Sequence, residues 1–254
     1  IDSNNGIAVG YAGTIVKTID GGESWIQQNS GTSNWLLDVD FVDHNTGYIV
    51  GDGGVILKTT DSGINWIPLL SETTDELKSV SFTDINTGTA VGRDSTILRT
   101  TDGGANWTHQ ESGLNGPEIF NDVFFNDANN GIVVGGEILK TSNGGSTWES
   151  ISYGNRTELL DVFFSDANTG FIVGSSGKIL KTTDGGGLWI TQTNENIYSL
   201  NSVYMIDSNI GIAVGDFGTI FRTTNGGGGF ISTTLISNVQ AGTQILEVNN
   251  NIGF

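Results

Sequence analysis

The stretch Thr100-Thr101-Asp102-Gly103-Gly104-Ala105-Asn106-Trp107 sets a carboxylate beside two glycines and a large aromatic. In a carbohydrate-acting enzyme, such a set would supply a general acid or base next to a ring that stacks on a sugar. An aromatic closes a similar octet at Trp25, Trp66, Trp107, Trp148, Trp189 and Phe230, each 41 residues after the last. The acid position is filled by Asp20, Asp61, Asp102, Asn143, Asp184 and Asn225. Asparagine keeps the acceptor oxygen and loses the charge, a change that a turn tolerates and a general acid does not. These six residues are therefore expected to hold turns. The side-chain oxygen accepts from backbone N–H groups, threonine ties down the other side, and the glycines take positive φ. The aromatic is expected to return into the packing between strands.

A period of about 40 residues implies units that cannot bury their own faces and must stack. Each unit contains four short β-type runs. An alternating strand such as Leu37-Asp38-Val39-Asp40-Phe41 is followed by an Asp-x-Asn-x-Gly turn, a second apolar run into glycine (YIVG at Tyr48), a third run (VILKT at Val55), and the octet leading to a fourth. β-branched residues and glycine turns dominate, and no window keeps a helical period. The expected fold is all-β, a six-bladed propeller of four-stranded antiparallel blades, with a seven-bladed propeller or part of a longer array as the alternative. The fourth unit has gained two residues before its first strand and lost two between its second and third, both in loops.

Residues 1–230 hold the repeats, and 231–254 form a C-terminal segment. Its apolar alternation Gln244-Ile245-Leu246-Glu247-Val248 reads either as the closing strand of blade one, pairing with Ile7–Gly10, or as the start of a further β module. Ile1 falls in mid-repeat, which leads to the expectation of a processed product or a fragment.

The 254 residues carry 28 acids against 10 lysines and arginines, a net charge of −18. Nucleic acid and anionic lipid are excluded as expected partners, because both are held by basic clusters. Lys17, Lys58, Arg99, Lys140, Lys181 and Arg222 all precede the octet's first threonine, a scaffold position, which leaves Lys78, Arg93, Arg156 and Lys178. Without cysteine there is no disulfide framework and no thiolate site. No apolar run has the length of a membrane helix. The Asp-x-Asn-x-Gly turns lack the further acids of a calcium loop, so an Asx-type turn with glycine at positive φ is expected there rather than a metal. His44 and His109 have no ligand-like spacing, and no cofactor is expected.

The octets resemble the Asp-box (BNR) repeat, Ser/Thr-x-Asp-x-Gly-x-x-Trp, and GxxVGxxGxILKTTDGGxxW resembles propellers of the photosystem II assembly/stability factor type. The resemblance covers about residues 1–230. It implies an octet at the blade periphery, away from the ligand face, in a group that includes sialidases, xyloglucanases, sortilin-type receptors and assembly factors. A sialidase-like site would need an arginine cluster, and assembly factors are expected to carry an arginine-rich patch. Only Arg93 and Arg156 lie outside the scaffold position and are available for either.

Function is expected on the side opposite the octets, at the second-to-third turns and the links between blades. The candidate ligand-binding residues are Trp35, Tyr11, Asp52, Arg93, Asp94, Tyr153, Arg156, Asp216 and Phe217. Glu72, Asp75, Glu76, His109, Glu111 and Tyr198 stand nearby in the links. Trp35 is the tryptophan outside the repeat register, which singles it out for contact with a partner. The expected function is a non-catalytic, secreted or surface-exposed interaction or structural module of a larger extracellular assembly, with a protein or glycan partner and contacts to neighbouring chains. The alternatives are a glycoside-acting enzyme or glycan-binding propeller using loop carboxylates and aromatics, and a photosystem assembly factor. The catalytic question stays open, leaning towards no enzyme.

Overall fold

A computed structural model describes residues 3–154, 156–192 and 198–227, together with the backbone of strand Ile231–Thr234. The chain is all-β, with six antiparallel sheets arranged as propeller blades. It divides into two compact units, Ile1–Ile151 with blades one to four and Ser152–Phe254 with blades five and six. Among the described residues, blade one has three strands, Gly6–Val9, Ile15–Thr18 and Ile26–Gln28, and each of the other five has four. In blade two these are Leu36–Phe41, Gly47–Gly51, Ile56–Thr59 and Ile67–Leu69. Strand Ile231–Thr234 pairs with Thr219–Thr223 as the fourth strand of blade six, so the repeat runs four residues past position 230. The closing strand expected at Gln244–Val248 lies outside the described residues.

Within each unit the blades pack face to face. Tyr48, Val50 and Ile56 of blade two meet Leu77, Val80, Phe82, Ala90, Leu98 and Trp107 of blade three in one buried cluster. In the second unit, Phe171, Val173 and Ile179 meet Leu200, Val203, Met205 and Phe221 in the same way. The octet tryptophan sits edge-on to the aromatic that ends its own blade's first strand. The pairs are Phe41–Trp66, Phe82–Trp107, Phe125–Trp148 and Phe164–Trp189, with centroids 5.8–6.0 Å apart and planes 83–87° apart. Blade one has no strand before Gly6–Val9 among the described residues to supply that ring, and Trp25 is 47% exposed.

The glycine that opens each second strand is required for space. A Cβ on Gly47 would lie 2.7 Å from the Phe41 ring, and one on Gly88 or Gly131 would lie 2.5 Å from Phe82 or Phe125. Gly47, Gly88, Gly131, Gly170 and Gly211 are not among the positive-φ residues, which corrects the conformational reason expected for the Asp-x-Asn-x-Gly glycine. The octet glycines do take positive φ, as Gly103 (70°) and Gly104 (84°) illustrate.

Successive blades are tied by polar side chains as well. Lys17 Nζ donates to Ser62 O at 2.7 Å, Lys58 Nζ to Gly103 O at 2.8 Å, and Arg99 to Ala128 O at 2.6 Å. In the second unit, Lys181 Nζ donates to Gly226 O. A hydrogen bond from a charged group contributes about 1.5–3 kcal/mol, so the recurrent base is a scaffold part, as its position implies. The first strands carry a second set of ties. The N–H of Val80 donates to Asp38 Oδ2 at 2.8 Å and that of Phe82 to Asp40 Oδ2 at 2.6 Å. Ser79 and Ser81 serve Val123 and Phe125, and Asp161 serves Val203. Each side chain satisfies a backbone donor on the free edge of the next blade's first strand.

Candidate functional site

The two sides of a blade differ in chemistry. On the octet side, Thr100 Oγ1 donates to Asp102 Oδ1 at 2.9 Å and accepts from Gly104 N at 2.9 Å, while Asp102 Oδ1 accepts from Asn106 N at 2.9 Å. Asn143 repeats this with Thr141 and Thr147 N at 3.0 Å each, so the amide replaces the carboxylate without loss of the turn. The hydrogen bonds hold the carboxyls below their usual range. The Ser24 hydroxyl, followed by its N–H, lowers Asp20 to about 2, and the Asn65 N–H and side-chain amide lower Asp61 to about 2. Asp43, Asp84, Asp127, Asp166 and Asp207 each accept two backbone N–H groups of their own Asx turn, as Asp43 does from Asn45 and Thr46 at 2.7 Å. The carbonyls of Asn86 and Asn168 in these turns accept from octet glycines Gly103 and Gly185 at 2.8 and 2.9 Å, which places the two turn types side by side. An acid held low with its lone pairs occupied serves as a fixed acceptor, and it is unsuited to proton transfer at neutral pH.

On the other side, the second-to-third turns of blades two, three, five and six are clamped to the link that enters the blade. Asp52 N donates to Trp35 O at 2.9 Å, Arg93 N to Glu76 O at 3.0 Å, and Asp216 N to Ser199 O at 3.0 Å. The clamp is tight because the strand ends in glycine: a Cβ on Gly51 would fall 2.0 Å from Trp35 O. Turn and link side chains therefore share one surface.

In the first unit the link also meets the preceding blade's turn: Leu36 N donates to Gly10 O at 3.0 Å, and Tyr11 and Trp35 come together with ring centroids 4.9 Å apart and planes tilted by 52°. The rings are 69% and 51% exposed. Asp52 adjoins them through its bond to Trp35 O, and Asn34 Nδ2 fixes the Asp52 carbonyl at 2.9 Å, leaving the residue exposed. Arg93 is held by Glu76, Nε to Oε1 3.2 Å, and Lys78 approaches the same carboxylate at 3.8 Å. Asp94 stands exposed at the next tip with φ 54°. An open cleft of about 790 Å³ is lined by Trp66, Pro68, Leu69, Glu72 and Asp75; neither Tyr11 nor Trp35 reaches it. Asp75 is tied there by the hydroxyls of Thr73 and Thr96 at 3.0 Å each. His109 and Glu111 are exposed.

In the second unit, Tyr198 and Phe217 form a similar pair, centroids 4.9 Å apart and tilted by 51°. Phe217 is 83% exposed and holds φ 57°, a strained conformation for a bulky side chain. Asp216 precedes it and accepts from Asn201 Nδ2 at 2.8 Å. Arg156 is exposed. Tyr153, expected among the ligand-binding residues, is buried, its hydroxyl donating to Thr157 O at 2.9 Å. The register held the signal, since Tyr153 stands at the repeat position of Ser30, Ser71 and Ser112, each of them buried.

Sequence reasoning passed over Asp38 and Asp40 as mere alternation. Burial between first strands raises the Asp40 carboxyl to about 6, against the bond from Phe82 N and reinforced by the nearby Asp38 charge. The signal was present in the register: the positions of Asp38 and Asp40 recur as Ser79 and Ser81, a change that keeps an acceptor oxygen.

Fold and octet geometry together define an Asp-box β-propeller. Residues 1–69, 24–111, 69–158 and 148–243 match the family described as photosynthesis system II assembly factor YCF48. The chain belongs to that family. Among solved structures it is similar to YCF48 from Cyanidioschyzon merolae, with a TM-score of 0.75 and 20% identity over 93% of this chain and 83% of that one. It is also similar to a structure titled YCF48 bound to D1 peptide, with a TM-score of 0.72 and 19% identity over 91% and 77%. The GH74 enzyme of Niastella koreensis matches with a TM-score of 0.66 and 18% identity, over 91% of this chain and 47% of that one. At these identities the likeness is one of fold. Among curated proteins, none matches this sequence.

Proposed function

We propose that this chain is a non-catalytic interaction module of an extracellular or cell-surface assembly, binding an extended peptide segment of a protein partner on the turn-and-link side of its first unit. The observation that carries the reading is the exposed Tyr11–Trp35 pair. Two large rings held in water by a rigid turn and a clamped link supply contact area with little conformational entropy to lose on binding. A propeller of the same fold is described with a peptide bound, which favours a peptide over other macromolecules as the partner. The octet acids are engaged in turns, and that supports leaving catalysis out.

A glycan is the second reading, favoured by the same rings and by the fold shared with the GH74 enzyme. A single titration separates the two. The indole N–H of Trp35 is followed by NMR as a mixed-sequence peptide library and xyloglucan oligosaccharides are added in turn. A shift with peptides alone supports the proposal, and a shift with oligosaccharides alone overturns it. Surface labelling of intact source cells with an antibody tests the location; signal only after permeabilisation would refute it.

A further inference from the structure

Resting on the peptide-binding reading, we infer that the Tyr11–Trp35 pair together with Asp52 forms a subsite for a cationic side chain, the guanidinium of arginine or the ammonium of lysine. Three observations combine. The two rings touch, tilted by 52° with centroids 4.9 Å apart, and are open to solvent, so they form an aromatic notch whose exposed faces a flat or compact cation covers. Ring faces attract cations through their quadrupole, with tryptophan the strongest of the three aromatic types. Asp52 is exposed and its backbone is anchored to Trp35 by a hydrogen bond of 2.9 Å, which sets an acidic residue next to the ring pair.

The charges around the notch point the same way. The nearest bases by position in the repeat, Arg93 and Lys78, both converge on Glu76. Lys17 and Lys58 reach across to carbonyls of the next blade's octet. The notch thus lies on a chain of net charge −18, where a cationic partner is drawn in and an anionic one repelled. In the second unit Asp216, at the repeat position of Asp52, also adjoins a ring pair, Tyr198–Phe217 at 4.9 Å, but those rings stand at the repeat positions of Asn34 and Gly53 and Asp216 accepts from Asn201 Nδ2.

The test uses the full chain and three acetylated, amidated pentapeptides, glycine with arginine at the second and fourth positions and the same peptide with glutamate or leucine there. Xyloglucan oligosaccharide is the fourth probe. Binding is read from the Trp35 indole resonance and from calorimetry. The arginine peptide is expected to shift Trp35 and to lose affinity roughly tenfold as NaCl rises from about 50 to about 500 mM. Asp52→Asn should weaken it roughly threefold or more at unchanged melting temperature, and Trp35→Ala should abolish it. Equal, salt-insensitive binding of the leucine peptide would overturn the cation subsite and leave the peptide reading standing. A response to the oligosaccharide alone would overturn both, and no response of Trp35 to the arginine peptide would overturn the inference.

Discussion

The octet side and the turn-and-link side of one blade use similar residues to opposite ends. On the octet side, Asp102 is enclosed by Thr100 and Asn106, and Trp107 is buried on Phe82. On the other side Asp52 and Trp35 are joined through their backbones and leave carboxylate and ring in water. The difference teaches that residue type alone assigns no role to an aspartate or a tryptophan in this chain. Position relative to the 41-residue period does.

Substitutions that remove packing should widen that contrast most. Trp107→Ala is expected to destabilise the protein by about 3–5 kcal/mol in denaturant unfolding, because its ring is buried edge-on to Phe82. Trp25→Ala should cost far less, its ring being half exposed. The indole N–H groups of Trp66, Trp107, Trp148 and Trp189 have no acceptor among the described residues. Trp107→Phe, which copies the residue at position 230, should therefore cost only about 1 kcal/mol.

A pH series tests the acids next. Asp40 has a folded pKa raised to about 6, above its unfolded value of 3.8, so it penalises the folded state at neutral pH. That penalty is relieved as pH falls through 6 towards 3.8. Asp40→Asn, which keeps an acceptor for Phe82 N, should raise stability at pH 7 by roughly 1–3 kcal/mol, and the gain should vanish near pH 4. Asp20 and Asp61 behave in the opposite sense. Their folded values of about 2 lie below 3.8, so their contribution is complete above pH 4 and lost as pH falls towards 2. Asp61→Asn should flatten the fall in melting temperature over that range.

Smaller effects belong to the turn side. Phe217→Gly should stabilise by about 1 kcal/mol by relieving the positive φ, at the cost of the ring pair with Tyr198. Trp35→Ala should change stability by less than about 0.5 kcal/mol while removing binding, and a large destabilisation would return Trp35 to the scaffold.

The period, the four-stranded units and the octet turn were legible because each repeats: Asn143 and Asn225 ruled out charge as the purpose of the acid before any coordinate was known. The side of the blade that carries Trp35 and Asp52 was legible for the same reason. That Trp35 meets Tyr11 was not, since one lies in a link and the other in the preceding blade's turn, segments that the bond from Leu36 N to Gly10 O joins. The glycine of the Asp-x-Asn-x-Gly turn was read through backbone conformation, whereas its reason is the Phe41 ring lying over it. Tyr153 was read as a loop residue by its type, whereas its repeat position, shared with Ser30, Ser71 and Ser112, is buried in each.

The basic ties between blades carry one more consequence. Lys17, Lys58 and Lys181 each reach an acceptor 45 residues ahead, one period plus four. Donor and acceptor thus lie at fixed offsets in these three copies of the unit, while Arg99 reaches Ala128 O instead. Duplicating or deleting a whole unit adds or removes one of each and leaves the remaining pairs matched. The ties place no bound on repeat number, so a lineage could lengthen or shorten the array by recombination between repeats without first having to invent a compatible junction.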